Sequence, residues 1–117
     1  MGRLTTHVLD TAHGVPGRGV ALSLYRIVDN SRRLLRSDQT NADGRCEQPL
    51  LEGAALQPGV YELDFAVGAY FAALGVAQTQ PPFLDAVTLR FGVADAAAHY
   101  HVPLVVTPWS YSTYRGS

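Results

Sequence analysis

The stretch Val60-Tyr61-Glu62-Leu63-Asp64-Phe65-Ala66-Val67 decides the fold class. Tyr61, Leu63, Phe65 and Val67 share one parity, and Val60, Glu62, Asp64 and Ala66 share the other. Successive side chains of an extended chain point to opposite faces, so one row faces a core and the other faces water. The spacing predicts a half-buried strand. The period then breaks at Ala69-Tyr70-Phe71-Ala72-Ala73-Leu74-Gly75, where good helix formers close on a glycine. That stretch predicts one short helix with a glycine stop.

Outward from this centre the period of two recurs. Residues 4–10 read as a first strand, followed by the turn-rich A-H-G-V-P-G-R-G. Val20, Leu22 and Leu24 alternate with Ala21, Ser23 and Tyr25, and Val87, Leu89 and Phe91 alternate with Ala86, Thr88 and Arg90. Residues 34–41 are polar and predict an outer strand, after which Asn41-Ala42-Asp43-Gly44 supplies a turn. Residues 100–107 are strongly apolar, and residues 110–116 form the last strand candidate. Seven or eight turn-bounded strands and one short helix predict an all-β antiparallel sandwich, a single domain over residues 1–117.

Composition narrows the function classes. A hydrophobic share of 47% and a charged share of 16% fit a folded chain. Net charge is −1, and the densest basic stretch, Arg32-Arg33-Leu34-Leu35-Arg36, is short and broken by leucines, which argues against nucleic-acid binding. Cys46 stands alone, excluding an internal disulfide and a cysteine-based zinc cluster within one chain. No run approaches the length of a membrane span, and the opening M-G-R-L-T-T-H-V-L-D lacks the apolar stretch of a signal peptide. The expected location is the cytoplasm.

The candidate chemistry lies in histidines and arginines. His7 falls on the parity of Thr5 and Leu9; His99 and His101 share a parity opposite Tyr100, Val102 and Leu104. His13 sits in the Gly/Pro turn and reads as solvated. Two histidines at i, i+2 can ligate one ion, but no carboxylate lies beside the pair and no H-E-x-x-H motif occurs. No G-x-S-x-G marks an activated serine. Arg45, after the Asp43-Gly44 turn, is either an ordinary exposed arginine or a planar fork that grips an anion. Taken singly, these residues leave both readings open.

Their arrangement is more specific. The opening L-T-T-H-V-L-D-T-A-H-G-V-P-G, the turn T-N-A-D-G-R, the segment A-Y-F-A-A-L-G and the ending Y-H-V-P-L-V-V-T-P-W-S-Y-S-T-Y-R-G-S together resemble the 5-hydroxyisourate hydrolases, the transthyretin-like enzymes of urate degradation. Trp109-Ser110 and Leu84-Asp85 depart from common family residues, outside the ligand-facing set. The resemblance implies a sandwich of two four-stranded sheets with one short α-helix, assembled as a homotetramer, a dimer of dimers. It also implies sites in the central channel that need neither metal nor cofactor. The family's catalytic positions would fall on His7, Arg45, His101 and Ser117, with Tyr114 and Arg115 joining His7 and Arg45 against the substrate. The implied reaction opens the lactam ring of 5-hydroxyisourate with water to give 2-oxo-4-hydroxy-4-carboxy-5-ureidoimidazoline. Histidine would deprotonate water and arginine would polarise the ring carbonyl. The competing reading is a transthyretin-type carrier holding a small aromatic hormone in the same channel. The polar His, Arg and Y-R-G-S set disfavours it.

Overall fold

The decisive alternation becomes a central strand in the computed structural model, which describes residues 1–116. The strands are β1 (Arg3–Asp10), β2 (Val15–Pro16), β3 (Ala21–Val28), β4 (Ser31–Gln39), β5 (Leu51–Glu52), β6 (Gly59–Ala66), β7 (Ala86–Val93), β8 (His99–Val106) and β9 (Tyr111–Ser112). One helix, α1 (Val67–Ala73), leaves β6 directly. Tyr61, Leu63 and Phe65 are fully buried, while Glu62 and Asp64 face outward and pair with Arg32 at 3.0 and 2.7 Å.

Two sheets face each other across this core. One has the order β4-β3-β6-β7; the other has the path β2-β1-β8-β9, with β5 also pairing with β1. The expected four strands per sheet hold along each path, and the two-residue β5 is an addition. Leu4, Val8 and Leu104 from one sheet meet Leu24, Leu63 and Phe65 from the other, and Phe71 of the helix joins them.

Three expectations change. First, the sandwich is not wholly antiparallel, because β1 and β8 run parallel over eight residue pairs, from Arg3↔His99 to Asp10↔Val106. The chain between them crosses the other sheet, and such a long connection permits parallel pairing. Second, the helix starts two residues earlier than predicted: Val67 ends the apolar row of the strand yet forms the buried first residue of α1. Third, the final strand is short. Only Tyr111 and Ser112 pair with β8, and pairing resumes at an isolated His101↔Gly116 bridge. Pro103 explains the gap. It shares the parity of His101 and Val105, whose backbones bond to this neighbour, and it has no N–H to give. Thr113 Oγ1 instead donates to the Pro103 carbonyl at 2.7 Å.

Candidate active site

The parallel register builds the candidate site. Thr5 stands opposite His101 and His7 opposite Pro103, so Arg3, Thr5 and His7 on β1 run beside His99 and His101 on β8 along one outward face. The partners of opposite parity, Leu4, Val8, Val102 and Leu104, fill the core. A parity fixed by burial thus fixes which side chains reach the face. The His7 and His101 rings lie 6.4 Å apart between centroids, tilted by 42°.

Arg45 arrives from the turn after β4. Asn41 holds that turn: its Oδ1 accepts from the backbone N–H of Asp43 at 2.9 Å and of Arg45 at 3.1 Å. Gly44 has φ +77°, and a Cβ there would collide with the Val8 carbonyl oxygen, which no side chain relieves. The Gly44 carbonyl accepts from the Val8 N–H at 2.8 Å, and Arg45 forms an isolated antiparallel bridge with His7. The D-G-R sequence therefore places its arginine beside His7 through backbone geometry.

Hydrogen bonds orient both rings. His7 Nε2 lies 2.8 Å from the Asp43 carbonyl oxygen, which can only accept, so this nitrogen carries the proton. His101 Nδ1 lies 2.8 Å from Thr5 Oγ1. The pKa of His101 is lowered, first by burial and then by the positive charge of Arg45 and by His7. Its imidazole is thereby biased to the neutral, proton-accepting form. A concavity of about 530 Å³ beside these groups is lined by Arg3, Thr5, Arg45, Glu47, His99 and His101, among others.

His7, Arg45 and His101 are brought together. Tyr114 and Arg115 are not brought to them within one chain: both line a separate groove between β7 and the start of β8. The Arg115 guanidinium sits 4.3 Å from the Tyr100 ring centroid and donates to the His99 carbonyl at 3.0 Å. Ser117 lies outside the described residues. Among those described, no group of three or more metal-ligating side chains is found.

Cys46 lines the concavity as a half-buried thiol whose pKa is pushed up to about 12, chiefly by burial, so it is no nucleophile near neutral pH. His13 is not merely solvated: its Nδ1 lies 2.7 Å from Asp10 Oδ2. Sequence reading missed Thr5 as the partner of His101 and Asn41 as the holder of the turn. Thr5 was marked by sharing the parity of His7. Asn41 was marked only as a turn former.

A family model described as the HIUase/Transthyretin family matches residues 4–116. The 5-hydroxyisourate hydrolase of Ralstonia nicotianae is 69% identical over 117 residues, covering 100% of both chains. The crystal structure of (S)-allantoin synthase superposes with a TM-score of 0.94 at 46% identity, covering 99% of this chain and 44% of that one. This chain thus spans less than half the length of that protein. Sea bream transthyretin in complex with thyroxine superposes with a TM-score of 0.87 at 26% identity, covering 97% of this chain and 94% of that one.

Proposed function

This chain belongs to the HIUase/Transthyretin family, and from that premise we propose that it hydrolyses 5-hydroxyisourate at the cluster of His7, Arg45 and His101. The observation that carries the site assignment is the convergence of two imidazoles and one guanidinium from three separate chain segments on one sheet face. The hydrolase relative shares far more identity with this chain than the thyroxine-bound transthyretin, 69% against 26%, which favours the enzyme over the carrier.

In the proposed reaction His101 is the base. The reaction uses the tautomer in which Nδ1–H faces Thr5 Oγ1, 2.8 Å away, so that Nε2 takes a proton from water as the water oxygen attacks the lactam carbonyl. Arg45 stabilises the oxyanion. The C–N bond then breaks, and the proton held on His101 passes to the departing ring nitrogen. The new carboxyl group releases its proton to solvent. His7, its Nε2–H held by Asp43, presents Nδ1 as an acceptor that orients the water. Ser117 would support the water or a histidine.

The assembly belongs to the same proposal. Two copies would pair and the pairs would meet as a homotetramer, so that Tyr114 and Arg115 contact substrate from a neighbouring copy. The setting is urate degradation in the cytoplasm. No helix among the described residues is long and apolar enough to cross a membrane.

The test is to generate 5-hydroxyisourate in situ from urate with urate oxidase and follow its ultraviolet decay. The chain should accelerate that decay, and His7→Asn or His101→Asn should each lower kcat about 10²–10⁴-fold with the fold retained. The acid limb of kcat/KM should lie below the ordinary histidine value of about 6.5, because His101 must be neutral to act and its pKa is lowered. Arg45→Gln removes a positive neighbour, so the limb should move to higher pH while the plateau falls. Decay no faster than the spontaneous reaction would defeat the hydrolase reading.

A further inference from the structure

The geometry points to Arg3 as a second substrate-binding cation of this site, recognising the anionic or carbonyl-rich end of the heterocycle away from the reacting carbon. The inference rests on the hydrolase reading and extends its binding site by one row of side chains.

Arg3 stands opposite His99 in the parallel register, and Thr5 stands opposite His101 one row further in. Both rows have the same parity, so all four side chains belong to one face. Two residues along a strand span about 6.6 Å, a step that a fused two-ring heterocycle covers when one end lies at the Thr5–His101 row. Arg3, His99, Arg45 and His101 line the same concavity, so no wall separates the outer row from the inner one.

The charge balance supports the assignment. Among the described residues neither Arg3 nor Arg45 has a carboxylate partner within salt-bridge distance, whereas Arg32, Arg36 and Arg90 each do. Glu47 is the carboxylate in this lining, and its Oε1 accepts from Asn41 Nδ2 at 3.2 Å. The lining thus holds two guanidinium groups and one carboxylate, and Glu52, opposite Arg3 in the β1–β5 register, makes no ion pair with it. Arg115 of the same chain does not fill the role, since its guanidinium rests on Tyr100 and the His99 carbonyl. Ring opening creates a carboxylate from a lactam, so negative charge grows during turnover, and a cation one row beyond Thr5 and His101 favours both capture and retention of that charge.

Arg3→Gln and Arg3→Lys test this by steady-state kinetics on 5-hydroxyisourate at several ionic strengths. Arg3→Gln should raise KM about three- to tenfold with kcat changed less than about twofold, and should flatten the fall of kcat/KM with added salt. Arg3→Lys should restore the salt dependence. Thermal unfolding should be unchanged, because Arg3 is exposed. If the wild-type chain hydrolyses the substrate but Arg3→Gln matches it in KM and in salt dependence, the Arg3 assignment is overturned while the hydrolase reading stands. If the wild-type chain leaves the spontaneous decay unaltered, the hydrolase reading fails and the Arg3 assignment falls with it.

Discussion

Gly116 carries more of the site's geometry than its missing side chain suggests. Its N–H donates to the His101 carbonyl at 2.8 Å, and its own carbonyl accepts from the His101 N–H at 3.3 Å. A Cβ at this position would lie 2.9 Å from Cδ2 and 3.0 Å from Cβ of His101. The imidazole and the backbone it faces are both pinned, so one of them must move to admit a methyl group. Gly116→Ala should therefore rotate or displace the proposed base and lower kcat about 10–100-fold, since a displacement near 1 Å can cost about 10² in rate. KM should change less than kcat, because His7 and Arg45 are not in contact with the added methyl group. Turnover by Gly116→Ala at the wild-type kcat would show that Gly116 does not position this ring. Nothing in the periodicity of the chain marks this contact. The sequence placed Gly116 only at the end of the last strand candidate and in the Y-R-G-S ending, without its bridge to His101.

At the scale of elements, the strands were legible wherever one face is buried. β1, β3, β6 and β7 follow the predicted alternation because water on one side and core on the other leave a period-two trace. The parity of His7 and His101 followed from the same trace. What alternation cannot encode is which strand lies beside which, so the parallel pairing of β1 with β8 was not visible, and with it the Thr5–His101 contact. β4 is exposed along most of its length, and its identity as an outer strand was read from polarity alone. The tie between β1 and α1 was also hidden, because it joins groups 60 residues apart. Tyr70 Oη donates to Asp10 Oδ2 at 2.8 Å, and the same carboxylate accepts from the His13 backbone at 3.0 Å. Burial alone would raise the Asp10 pKa, but the bonds from Tyr70 and His13 outweigh it and hold the pKa below the ordinary carboxylate value. A carboxylate with a depressed folded-state pKa contributes stability that is present above its unfolded value and lost as pH falls through its folded value. Tyr70→Phe removes one hydrogen bond to a buried charge and should cost about 1.5–3 kcal/mol at pH 7 by urea unfolding. It should also move the acid-unfolding midpoint to higher pH. An unchanged acid midpoint would mean that Asp10 is held by His13 alone.

At the scale of the molecule, the candidate site lies on the outward face of a sheet rather than in a closed cleft. Arg3, Arg45 and His99 are exposed, and His7 and His101 are only half-buried. Small-molecule sites bury about 70–90% of the ligand surface, and burial strengthens the interaction of Arg45 with a developing oxyanion. The missing cover is what the proposed tetramer would supply: the outward face of one pair laid against that of the other turns two open concavities into a channel. The free edges point the same way. β7 ends one sheet and β9 the other, and the groove between them exposes Tyr111 and Tyr114 beside unpaired strand edges. An open edge of this kind invites a second copy to continue both sheets. Sedimentation should thus report about four times the chain mass of 12.6 kDa. Specific activity should fall on dilution in step with the loss of that species, because smaller species leave the cluster in water and remove any contribution from Tyr114 and Arg115 of a neighbour. Full activity per chain in a monomer would make the concavity of one chain sufficient for the reaction, and the assembly would then be needed for stability alone.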